Sequence, residues 1–165
     1  MTDLFNMEEI CSIGIEIERN GEQFYRKAAE QSQDATLKKL FLELSEWENQ
    51  HITLFENIRT QTSKDKPYGH PIDPDGEEGR YLKAIADSHI FIGKPDIPAL
   101  VKACPTPDAI LDKAIQFEKD SVTLYSALKA HVTDALGSLD VERLIQEEVL
   151  HVALLVRKKA ALRNQ

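Results

Sequence analysis

Apolar residues recur at three- and four-residue spacings along most of this chain, and no stretch alternates apolar with polar in the period of a strand. The period predicts an all-α protein built on four long helices. The first runs from about Met7 to Glu30, opened by a capping box of Asn6 with Glu9. The second runs from about Ala35 to Gln61 behind Asp34 as N-cap. The third opens at Thr106-Pro107-Asp108, a cap followed by proline where the missing N–H costs nothing, and continues to about Val132. The fourth starts at Ala135 or Ser138, capped by Asp134 or Ser138, and ends at Arg163.

Between the second and third helices the pattern changes. Ser63 to Gly79 carries Pro67, Gly69, Pro71, Pro74, Gly76 and Gly79 and is expected to be a loop. Tyr81 to Phe91 returns to a helical period with Tyr81, Leu82, Ile85, His89 and Ile90 near one face. Gly93 to Pro98 breaks it again, and Asp96 caps a short last turn before Cys104. Short links make the first two and the last two helices antiparallel hairpins, over 7–62 and 106–164. The crossover 63–105 is long enough to traverse a bundle roughly 40 Å long, at about 1.5 Å per helical residue. Residues 1–165 therefore read as a single four-helix domain with one long crossover carrying a short helix.

The two hairpins repeat each other. Glu18, Tyr25, Glu48 and His51 return as Glu118, Tyr125, Glu148 and His151, each exactly paired 100 positions on. Ile10 pairs in the same way with Ile110, Ile15 with Ile115, Asp34-Ala35 with Asp134-Ala135, Leu44 with Leu144 and Leu54 with Leu154. One Glu-x-x-His is weak evidence in a Glu-rich chain; two in register with the same upstream Glu and Tyr mark a duplicated helical hairpin.

Helical geometry places these residues on faces meant for the interior. Glu18 shares a stripe with Cys11, Gly14, Gly21, Tyr25 and Ala29, and Glu118 with Leu111, Ala114, Ser121 and Tyr125. Glu48 and His51 share a face with Phe41, Leu44, Ile52 and Phe55; Glu148 and His151 share one with Val141, Leu144, Val152 and Leu155. An unpaired buried carboxylate costs several kcal/mol. Four together must take up protons or cations. Two divalent ions against four carboxylates and two neutral imidazoles sum to zero charge. Such a donor set suits iron, and also manganese or zinc.

The pattern resembles the rubrerythrin branch of the ferritin-like di-iron carboxylate proteins, in which one Glu from each of two helices and a Glu-x-x-His from each of the other two build a dinuclear site. Phe24-Tyr25-Arg26-Lys27-Ala28-Ala29 and the stretch from Tyr81 to His89 resemble the family too. The resemblance implies a ferritin-like four-helix bundle holding two iron ions, with no haem and no flavin. It implies Glu18 and Glu118 as terminal carboxylates, Glu48 and Glu148 as bridges, and His51 and His151 as ligands to one metal each. It implies an oxidoreductase that reduces hydrogen peroxide, or dioxygen, with an external electron donor such as a rubredoxin-like protein. The same ligands would serve a ferroxidase for iron storage or detoxification. A bundle that holds zinc or no metal and acts as a structural or interaction module is the non-enzymatic alternative.

Two departures bear on that choice. The chain has no Cys-x-x-Cys pair and so no rubredoxin-like knuckles. Where typical rubrerythrins carry a further carboxylate one turn past the third-helix ligand, this chain has Ser121. Tyr25 and Tyr125 are either core tyrosines or hydrogen-bond donors to ligand carboxylates. Glu22, about 40° off the ligand stripe, reads as a partly exposed helix-edge acid rather than a surplus ligand. His89 reads as packing or a helix-edge donor, His70 and His131 as ordinary surface or loop histidines, and Trp47 as a packing or interface residue pointing off the ligand face.

Composition narrows the partners. The 165 residues are 42% hydrophobic and 29% charged, with net charge −8, which disfavours nucleic acid and anionic membranes. No apolar run is long enough to span a bilayer, and the N-terminal residues lack the Lys or Arg of a signal peptide. Two unpaired cysteines, Cys11 and Cys104, fit a reducing, cytoplasmic setting. The apolar stripe Tyr81, Leu82, Ile85, Ile90 and Phe91, left over by a four-helix bundle, predicts a homodimer, which the long crossover could also build by exchanging identical hairpins.

Overall fold

A computed structural model describes residues 7–64, 77–130 and 138–164, all in helices or the short links between them. The helices are α1 (Met7–Gln31), α2 (Ala35–Lys64), α3 (Glu77–Ser88), α4 (Ile97–Lys102), α5 (Pro107–Lys129) and α6 (Ser138–Arg163). Three predicted caps are in place. The Asp34 side chain accepts from the Leu37 N–H at 2.7 Å, Asp96 from Ala99 at 3.0 Å and Thr106 from Ala109 at 3.1 Å. The Asn6 capping box, the Asp134 cap, His70 and His131 fall outside the described residues.

The four long helices form a ring in which α1 and α6 each lie against α2 and α5. Ion pairs show that α5 and α6 are antiparallel. Lys129 at the end of α5 pairs with Glu142 near the start of α6, and Arg163 at the end of α6 reaches Asp108 at the start of α5 at 3.1 Å. The core is apolar and aromatic. Phe24, Phe41, Phe55, Phe91, Phe117, Leu44 and Leu111 have essentially no exposure, and burying each such side chain is worth about 1.5–3 kcal/mol.

The crossover departs from expectation at its edges. Helix α3 begins at Glu77, inside the predicted loop, and runs through Gly79. A helical glycine costs roughly 1 kcal/mol, which the burial of Leu82 and Ala86 offsets. Of the predicted stripe, Leu82 and His89 are buried as expected, and Ala86 joins them in place of Tyr81 and Ile85. Leu82, Ala86 and His89 face inward, whereas Tyr81 is 61% exposed and Ile85 only half-buried. Most of the stripe that argued for a partner is thus covered by the chain's own bundle, with α3 on α5 and α4 on α1. Polar bonds fasten the strap: Asn20 Nδ2 donates to the Phe91 carbonyl at 2.7 Å, and Gln31 Nε2 to the Cys104 carbonyl at 3.1 Å. The break between α3 and α4 turns on Gly93 and Lys94, at φ 78° and 57° in the left-handed region that glycine enters freely. Further along, α5 ends at Lys129, short of Val132.

Two glycines of α1 allow close packing. A Cβ at Gly21 would lie 2.5 Å from the Phe117 ring, and one at Gly14 would lie 2.7 Å from Phe55. The Phe117 ring has little room to retreat, since Phe91 packs against it at 4.6 Å and His89 at 5.7 Å between centroids. Alanine would gain up to about 1 kcal/mol in helix propensity, but overpacking costs about 1–3 kcal/mol. Gly21→Ala is therefore expected to lower the denaturant midpoint of the metal-free protein. A raised midpoint would show that Phe117 yields freely.

Candidate metal centre

Each long helix sends chemistry to one level of the bundle. One turn separates Glu48 from His51 and Glu148 from His151, so each pair projects from a single face. Two turns separate Glu18 from Tyr25 and Glu118 from Tyr125, with the same result. The four glutamates are fully buried and the two histidines nearly so, at 3% and 5% exposure. All six converge. His51 Nδ1 lies 3.2 Å from Glu148 Oε1, 3.4 Å from Glu18 Oε2 and 3.5 Å from Glu48 Oε2. His151 Nδ1 lies 3.0 Å from Glu148 Oε2, 3.5 Å from Glu118 Oε2 and 4.0 Å from Glu48 Oε1.

The donors sort into two overlapping sets, Glu18, Glu48, His51 and Glu148, and Glu48, Glu118, Glu148 and His151, each with ligand atoms within 4.8 Å of one another. Glu48 and Glu148 belong to both. Among the described residues, the buried side-chain oxygens and nitrogens with no hydrogen-bond partner are Glu18 Oε2, both Glu48 oxygens, His51 Nδ1, Glu118 Oε2 and Glu148 Oε1. Every one of them is in this cluster. Leaving such atoms bare costs about 1–3 kcal/mol each, more for charged groups. The cluster thus fits metal, because cations would satisfy these same atoms.

The tyrosines cross-link the repeat. The Tyr25 hydroxyl donates to Glu118 Oε1 and the Tyr125 hydroxyl to Glu18 Oε1, each reaching the opposite hairpin. Each of these carboxylates has one oxygen held by a tyrosine and the other left free toward the cluster. Burial first, and then the neighbouring carboxylates, raise both phenols well above their ordinary range, so they stay protonated donors.

Without metal, protons take over part of the charge balance. Burial and then the charges of Glu18 and Glu118 push Glu48 well above the carboxylate range. Burial and the charge of Glu148 push Glu118 to about 8, against the pull of His151. Burial alone would lower both histidines. The charge of Glu148, with the close carboxylates of Glu18 and Glu48, instead holds His51 far above its usual value, and the carboxylates of Glu118 and Glu148 raise His151 to about 9. Burial would also raise Glu148, but His51 and His151 hold it well below its usual range.

Glu22 and Trp47 differ from their sequence expectations. Glu22 is buried rather than partly exposed. It pairs with Arg26 and accepts from Ser45 Oγ at 3.3 Å, away from the ligand cluster. Trp47 does not point away from the site. Its indole stacks on the His151 ring, with centroids 4.8 Å apart and planes 8° apart. His89 is buried, its Nδ1 accepting from the Phe91 N–H and its Nε2 donating to Ser121 Oγ, both at 3.1 Å. Burial lowers its pKa to about 4, so it stays neutral. Sequence reasoning missed Glu147, whose Oε2 lies 3.1 Å from His51 Nε2. Its only signal was adjacency to Glu148, since the residue lies off the ligand stripe of its own helix.

No model of a known protein family matches the chain, and no curated protein matches it. Among solved structures, a candidate ferritin-like diiron-carboxylate protein from Thermotoga maritima superposes with a TM-score of 0.69 at 26% identity, covering 94% of this chain and 95% of that one. The fold is the ferritin-like helical bundle, and it carries a buried Glu/His cluster able to bind metal. No described helix is long and apolar enough to cross a membrane.

Ligation requires bare carboxylates and neutral imidazoles, whereas burial and mutual repulsion in the metal-free cluster favour protons on Glu48 and Glu118, and the carboxylates favour protons on His51 and His151. Metal uptake is therefore expected to release protons. Affinity should climb with pH through about 8 to 9, where Glu118 and His151 titrate, and fall on acidification. Calorimetric titration with manganese in buffers of different ionisation enthalpy measures this directly; proton uptake on binding would contradict it.

Proposed function

We propose that this chain is a dinuclear iron oxidoreductase of rubrerythrin type that reduces hydrogen peroxide, or dioxygen, with electrons from an external donor. The observation that carries this reading is the pair of four-residue donor sets sharing Glu48 and Glu148, around buried atoms that lack any other partner. The Thermotoga maritima protein, described as diiron-carboxylate in type, supports it. In this reading Glu18 and Glu118 would be terminal ligands, Glu48 and Glu148 would be shared between the two ions, and His51 and His151 would each hold one. When bound, a reduced iron pair supplies two electrons at one place together with Lewis acidity. The protein's part is to keep water out, to fix the carboxylates through Tyr25 and Tyr125, and to keep those phenols protonated beside the cluster. An electron donor outside the bundle belongs to this reading, and a rubredoxin-like protein is proposed for that part.

Ferrous oxidation is the second reading, favoured by Ser121. The further carboxylate that accompanies peroxide reduction in typical rubrerythrins is replaced by a buried hydroxyl engaged by His89. Anaerobically reduced, iron-loaded protein separates the two. Fast peroxide consumption with slow ferrous oxidation by dioxygen is expected. The reverse order, with iron retained, would favour the ferroxidase, and stoichiometric zinc without redox activity would favour a structural module. A homodimer is proposed with this function, since α6 leaves Val149 50%, Leu150 66% and Val156 46% exposed; a mass of 18.7 kDa by light scattering would exclude it.

Bridging makes a variant prediction. Glu48→Ala removes a ligand from both ions, whereas His51→Ala or His151→Ala removes one from a single ion. Iron content after anaerobic reconstitution is expected to fall further in Glu48→Ala and Glu148→Ala than in either histidine variant. Equal losses would argue against shared carboxylates. Saturating metal should also raise the thermal midpoint of the wild-type chain, because it binds only the folded cluster.

A further inference from the structure

The repeat fails at one position that touches the site. Glu147 and Trp47 are counterparts 100 residues apart. Each approaches the histidine of the opposite hairpin, but with different chemistry. Glu147 Oε2 sits 3.1 Å from His51 Nε2, and its other oxygen is held by Arg143 Nε at 2.9 Å. Trp47 instead lies flat on the His151 ring, and an indole N–H can only donate.

The surroundings differ in the same sense. The groove beside His51 is lined by Asp140, Arg143 and Glu147 together with Gln50 and Asn57. The groove beside His151 is lined by Trp47, Leu150, Ala153, Leu154 and Arg157, with no carboxylate among them and Arg157 as its one charged member. Both histidines turn Nδ1 into the cluster. With His51 Nδ1 engaged by a metal, its Nε2 would carry the ring proton, and Glu147 Oε2 stands 3.1 Å away to accept it. Such a carboxylate orients the ring and makes its inner nitrogen a stronger donor.

We infer that the two metal positions are unequal: the ion served by His51 is held more tightly than the ion served by His151, because Glu147 backs the first histidine where Trp47 stacks on the second. This rests on the dinuclear reading of the site. Glu147 is a positioning residue here, acting on the metal through His51. Loading is stepwise, and the His151 position is the one that empties first.

Anaerobic calorimetric titration of the full chain with ferrous iron, repeated with cobalt, tests this. Wild type is expected to bind two equivalents in two steps whose dissociation constants differ roughly 10- to 100-fold, the usual effect of losing such an outer partner. His51→Ala should abolish the tight step and His151→Ala the weak one. Glu147→Gln should weaken the tight step by about 10- to 100-fold and leave the weak one in place. Trp47→Glu should tighten the weak step, while Trp47→Phe, which keeps a ring over His151, should leave both unchanged. Thermal midpoints of the metal-free variants provide a readout that a merely structural role would move and this one would not. Two equal steps in wild type, or a Glu147→Gln variant that binds as wild type does, overturn the inference. Failure to bind any metal would instead overturn the dinuclear site itself.

Discussion

Four carboxylates held together away from water set the terms for the rest of this molecule. Two like charges about 4 Å apart repel by about 4 kcal/mol even at an effective dielectric of 20. The whole net stability of a domain is only about 5–15 kcal/mol. Such a group survives in a core only when its charge is cancelled on the spot. The chain supplies two imidazoles, two phenols and a ring of buried aromatics, and it still leaves carboxylate oxygens without partners. Protons can fill that deficit in the metal-free protein. Cations fill it better, because one ion can serve several oxygens at once.

The packing around the cluster serves the same need. Gly14 and Gly21 let α1 sit close enough to Phe55 and Phe117 to seal the site's flanks. The crossover covers the α1 and α5 face with Leu82, Phe91, Ile97 and Val101. Neutral His89 joins the strap to Ser121, one turn beyond Glu118. The α2 and α6 side is different. There His51 and His151 line surface grooves.

Much of this was legible in the sequence because a dinuclear carboxylate site needs residues at fixed helical spacings. The convergence of Glu18, Glu48, His51, Glu118, Glu148 and His151 follows from faces and hairpins. So do the caps at Asp34, Asp96 and Thr106, which announce themselves by residue type. What was not legible depends on neighbours across helices. A helical wheel gives the direction of Trp47 from its own axis, but not the reach of an indole across to His151. It places Glu147 off the ligand stripe of α6 and cannot show that His51 of α2 comes to meet it. The inward face of α3 was legible only in part, at Leu82 and His89, because Tyr81, Leu82 and Ile85 are all apolar enough to face a core. Only contact with α5 decides among them, and it selects Leu82, Ala86 and His89. Which hairpin each tyrosine serves was likewise undetermined until the chain was folded.

That crossed pairing has a historical consequence. A single hairpin contains a Glu, a Tyr and a Glu-x-x-His, but its tyrosine points to a carboxylate that it does not own. Two identical hairpins related by a two-fold axis would complete one another, as self-complementary surfaces do in symmetric dimers. An ancestor of half this length could therefore have assembled the same cluster from two copies. In such a pair, however, position 47 and position 147 would be one codon. It could hold glutamate on both sides or tryptophan on both sides, never one of each. A single chain carrying both hairpins is free of that constraint, and its two halves can differ at the centre as Trp47 and Glu147 do.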